Sequence, residues 1–67
     1  MATFTTANQV RLMLKMKLSH YAWYVSSMIV PETDGYSVIV SVKRIDNQIR
    51  KLISPVIDGV SVKTEVE

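Results

Sequence analysis

The stretch SHYAWYVSSM, Ser19 to Met28, gathers the chain's one histidine, its one tryptophan and two of its three tyrosines. His20 is the first candidate for acid–base chemistry. A general base needs a partner within hydrogen-bond reach, and a triad also needs an orienting carboxylate. Serines flank His20, but none stands in a nucleophile-elbow context, and the nearest downstream carboxylates fall in a turn. His20 is therefore expected to fill the junction between a helix and a strand, near a helix C-terminus that favours its cation.

Glu32 and Asp34 are the next candidates, as oxygen ligands for a divalent cation. Calcium takes six to eight such ligands, and two acids in a hairpin turn fall short, so both are expected to be solvated. The only glycines are Gly35 and Gly59, which excludes the glycine-rich phosphate loops of common nucleotide sites. With no cysteine there is neither a disulfide framework nor a thiolate metal centre. No catalytic residue, cofactor, metal or small-molecule substrate is expected, and the chain does not read as an enzyme.

The basic residues carry more information. Arg11, Lys15 and Lys17 share one helical segment with no acid, and Lys43, Arg44, Arg50 and Lys51 surround a second, offset only by Asp46. If both helices cover one sheet face, their outer sides merge into a positive surface suited to phosphate backbones. Arg11, Lys15, Lys17, Arg44, Arg50 and Lys51 are the contacts such a nucleic-acid site would use. Against it, the net charge is only +2, and neither a basic tail nor an aromatic-interleaved recognition motif is present. Solubilising cations are the default, and nucleic acid ranks behind a protein partner.

Positioning these residues requires five elements. Thr6 and Gln9 form a capping-box pair at a helix start, and Val10, Met13, Leu14 and Leu18 recur at helical spacing. LKMKL also alternates, but its leucine, methionine and lysine content favours helix. Tyr21 to Val30 is aromatic and β-branched, as a strand prefers. PETDG then turns the chain into YSVIVSVK, whose alternation sends Tyr36, Val38, Val40 and Val42 to one face and Ile39 with its serines to the other. Asp46 caps a second helix carrying Ile45, Ile49, Leu52 and Ile53, and Ser54-Pro55 ends it. Asp58-Gly59 turns the chain into a last strand with Val60, Val62, Thr64 and Val66 on one side.

The order helix–strand–strand–helix–strand predicts an α+β fold, a three-stranded sheet with two helices packed on one face. Residues 1–67 make a single domain, with 1–5 expected to be a flexible N-terminus. YSVIVSV would be an aggregation hazard as an open edge, so it belongs in the middle, parallel to the third strand through a right-handed crossover. The order is similar in part to KH-like RNA-binding folds, but the GXXG clamp and its neighbouring helix are absent, and with them the reason to invoke that family. Leu14, Val38, Val40, Ile49, Leu52 and Val62 are expected in the core.

Composition places the chain among ordinary globular proteins, 48% hydrophobic and 21% charged. No apolar run approaches the ~20 residues that span a bilayer, and MATFTTANQ has neither the basic start nor the apolar segment of a signal peptide; a cytoplasmic, complete small protein without membrane contact is the expectation. Compact accessory proteins of bacteria and phages are often this short, although no motif points there. A core this small invites oligomerisation. The helices can cover only one sheet face, so the other should carry Ile39 between Ser37 and Ser41, with Trp23 or Tyr24 beside it. Such a flat, lightly charged face with large apolar residues suits an interface, for a homo-oligomer or a protein partner.

Overall fold

The computed structural model describes residues 3–67. Helix α1 spans Phe4–Leu18, strand β1 Tyr24–Glu32, strand β2 Gly35–Val42, helix α2 Asn47–Leu52, strand β3 Val56–Ile57 and strand β4 Val60–Val66. The fold is α+β, but the sheet has four strands, in the order β1-β2-β4-β3. YSVIVSV does lie inside the sheet, antiparallel to β1 and parallel to β4. The three-stranded expectation missed β3, which pairs antiparallel with β4 through Val56–Ser61 and Ile57–Val60. Asp58 and Gly59 both adopt positive φ, 51° and 77°, the geometry of a two-residue hairpin turn, which requires a strand on each side.

Helix α1 starts earlier than the Thr6 cap implies. Thr3 is the N-cap, its Oγ1 accepting the Thr6 backbone N–H at 3.2 Å. Thr3 to Thr5, expected in a flexible segment, form the cap and first turn; Met1 and Ala2 lie outside the described residues. Phe4 explains the shift, since its ring meets Tyr36 edge-on at 5.5 Å and ties the first turn to β2. The buried stripe of α1 is Ala7, Val10, Leu14 and Leu18, spaced three and four apart. Met13, expected on that stripe, is exposed.

The first strand also starts later than Tyr21. The Tyr21 N–H donates to Leu18 and the Tyr24 N–H to Tyr21, at 3.0 and 3.2 Å, so Ser19–Trp23 is a run of turns. An irregularity between Tyr24 and Ser26 then resets the strand phase. Tyr24, Ser27 and Ile29 pair with Val42, Val40 and Val38 on the inward face, and Ser26, Met28 and Val30 pair with Ser41, Ile39 and Ser37 on the outward one.

One core results: the α1 stripe, Trp23, Val38, Val40, Val42, Ile49, Ile53, Val60 and Val62. Leu52, expected in it, is only half-buried and packs against its rim. Asp46 caps α2 as expected, its Oδ1 accepting the Ile49 N–H at 2.9 Å, and so aims Ile49 inward. No helix among the described residues is long and apolar enough to cross a membrane.

Candidate functional site

Two surfaces of this fold gather polar and aromatic side chains into defined geometry. The first is the outward sheet face. Ile39 lies at its middle, paired with Met28 on one side and Lys63 on the other. Ser41 stands between Ser26 and Glu65. At the hairpin end Glu32 Oε1 accepts from the Ser37 hydroxyl at 2.8 Å and from Lys63 Nζ at 2.9 Å. That ion pair crosses β2 diagonally, and Ser37 beneath it is fully buried. Ser37 is therefore a support for the face rather than a contact point.

The hydrogen bond from Lys63, then that from Ser37, then the nearby ammonium charge hold the Glu32 carboxyl below the ordinary glutamate range. Folded Glu32 takes up its proton at lower pH than it would in the unfolded chain. The network thus steadies the fold above the ordinary glutamate range and loses that effect as pH falls through the lowered value. A carboxyl-resonance titration should find Glu32 ionising below ordinary glutamate, and Lys63→Met should move the midpoint up. An unchanged midpoint in that variant would mean that Lys63 is not the partner in solution.

Trp23 and Tyr24 do not stand beside Ile39. Trp23 is only 8% exposed and belongs to the core, because the turns before β1 swing it under the sheet's inward side. Tyr24 faces inward as well, its hydroxyl 3.1 Å from Ser27 Oγ. Of Trp23, Tyr24, Ile39, Ser37 and Ser41, expected together on the outward face, only Ile39 and Ser41 stand on it unburied, and Met28 and Val30 stand beside them. Alternation across 26–30 could have placed Met28 there; the burial of Trp23 depends on a turn that alternation cannot register.

The second surface is the aromatic run seen from its other side. His20, exposed, lies against Tyr21 at 4.2 Å between centroids, and Tyr21 stacks on Trp23 at 4.9 Å. His20 sits at the helix–strand junction as expected. Beside the rings runs a groove of about 340 Å³ lined by Tyr21, Trp23, Arg44, Asp46, Gln48, Ile49, Lys51 and Leu52. A smaller hollow of about 280 Å³ adjoins it, lined by Ala22, Trp23, Lys43 and Arg44.

The six cations assigned to one positive surface occupy different settings. Arg11 is held by its own helix, donating from Nε and Nη2 to Asn8 Oδ1 at 3.2 and 2.9 Å. Lys17 reaches from the end of α1 to the Leu52 carbonyl at 3.3 Å, which ties the two helices together. Lys15 and Arg50 are exposed, and Arg44 and Lys51 line the aromatic groove. Among the described residues no group of three potential metal ligands forms; Glu32, expected in the turn with Asp34, ends β1 and is engaged by Ser37 and Lys63, and of the two Asp34 alone lies in the turn.

Sequence reasoning missed the outer side of α1. Leu12, Met13 and Met16 are exposed there, Met16 by 80%. Their spacing of three and four was the available signal, since it describes a second apolar stripe beside the buried one. No protein-family model, curated protein or solved structure matches this chain.

Proposed function

We propose that this protein is a small non-enzymatic interaction module that self-associates through the outward face of its sheet. The observation that carries the reading is the Met28–Ile39 cross-strand pair, with Val30 beside Met28, on a face that neither helix covers. Met28 is 52% exposed and Ile39 beside it is half-buried, and the small hydroxyls of Ser26 and Ser41 leave Met28 standing clear of its neighbours.

Charge selects the occupant. The face carries Glu32, Lys63 and Glu65, so both signs are present and a two-fold partner can set acid against base. The exposed α1 stripe is flanked by Arg11, Lys15 and Lys17 with no acid on the helix; a second copy there would meet like charge. The outward face is therefore the better self-association surface.

Its size sets the strength. Three strands about 4.8 Å apart and about six residues long at ~3.3 Å each give a face near 14 by 20 Å. A standard interface hides about 800 Å² per partner, close to a fifth of this chain's 4480 Å². A face this small supports a reversible, concentration-dependent dimer rather than a permanent one. Oxidative footprinting tests its location. In concentrated solution Met28 should be protected relative to dilute solution, while Met16 reacts equally in both. Met28 oxidising at one rate throughout would contradict the reading.

A further inference from the structure

We infer that the groove beside Tyr21 and Trp23 is a binding site for single-stranded nucleic acid, with a base held against the rings and phosphates on Lys43, Arg44 and Lys51. The inference does not rest on self-association. It rests on residues far apart in sequence, 21–23 and 43–52, that the fold brings together.

Tyr21 is half-buried and stacked on Trp23, itself a core residue, so little side-chain freedom is lost when a planar ligand packs on the exposed part of Tyr21. The two hollows share Trp23 and Arg44. Together they make one track with a single aromatic wall and three cations, Lys43 at one end, Lys51 at the other and Arg44 shared between them. A ring wall flanked by several cations suits a strand, because stacking accepts any base and the cations follow the backbone on either side of it. A duplex keeps its bases inside the stack and has nothing for the Tyr21 ring. An acidic peptide would meet the cations but leave the rings unused.

The charge is available. Asp46, the one carboxylate in the groove, is engaged as the α2 cap through Oδ1. The ion pair found among the described residues, Lys63–Glu32, belongs to the outward sheet face. Lys43, Arg44 and Lys51 are exposed and confront no competing acid beyond Asp46.

Trp23 is the only tryptophan and lies against Tyr21 in the groove wall, so its fluorescence reports on occupancy of the groove. A short oligothymidylate at low salt should quench it saturably. Binding should weaken with salt at a logarithmic slope of about −2, from three phosphates at about −0.7 each. The double variant Arg44→Gln/Lys51→Gln, checked for folding by circular dichroism, should bind at least about tenfold more weakly and with a slope near −0.7. Arg11→Gln/Lys15→Gln, on α1, should stay within a few-fold of wild type. Four results would each overturn the inference: no quenching by the oligonucleotide, equal affinity for thymidine monophosphate, equal affinity for polyglutamate, or an equal loss in the α1 variant.

Discussion

Leu14→Ala should remove most of the protein's stability at room temperature. Leu14 is at the centre of the α1 stripe and is 1% exposed, packed in the core that α1 forms with β2 and β4. Truncating a buried leucine removes its transfer free energy and leaves a cavity, together about 2–5 kcal/mol. A domain this small sits near the low end of protein stability, about 5 kcal/mol, and has no disulfide to limit the loss. Val40→Ala, at a fully buried site in the same core, should be destabilising in the same sense but less, since fewer side-chain carbons are removed. Leu52→Ala should cost less than Leu14→Ala, because Leu52 is only half-buried at the rim. Denaturant melts of the three variants check the order. A wild-type melt for Leu14→Ala would show that α1 does not pack on the sheet as described.

The parts of this fold that were legible in the sequence are those in which one local rule acts alone. YSVIVSV alternates, and from Val38 to Val42 its burial follows period two; at the hairpin end Tyr36 is exposed and Ser37 buried under the Glu32–Lys63 pair instead. Asp46 followed by an apolar spacing of four announced α2 and its cap. The errors came where two rules overlapped. Thr3 and Thr6 can both cap a helix; the choice depended on Phe4 meeting Tyr36, a contact thirty-two positions away in the chain. Tyr21 to Trp23 has strand-like composition, yet successive turns hold it out of the sheet, and the irregularity before Ser26 restores the alternation only afterwards. Strand β3 is two residues long, too short for any periodicity, and only the paired positive φ of Asp58 and Gly59 marks its hairpin. The aromatic groove was illegible because its wall and its cations come from separate segments.

Ile39→Lys should keep the fold and abolish self-association. The position points away from the core, while Val38 and Val40 on either side point into it, so the inward packing is untouched. In the free chain the new ammonium can extend into water past Ser41 and Met28. In the proposed interface it would be desolvated with no added acid to meet it, at a cost of several kcal/mol. Lys63, the β4 neighbour of Ile39, would add repulsion on the same face. That penalty exceeds what a face of this size can return, so association should fall below detection while circular dichroism stays unchanged. Met16→Lys, on the outer side of α1, should leave association intact. If Met16→Lys dissociates the protein and Ile39→Lys does not, the helix and not the sheet is the contact surface.

The central claim is that the outward sheet face joins two copies of this chain, and sedimentation equilibrium of the unmodified protein over a wide concentration range tests it most directly. The account predicts a weight-average mass of one chain when dilute, rising smoothly toward that of two chains as concentration increases. A mass of one chain at every concentration up to the solubility limit would contradict it.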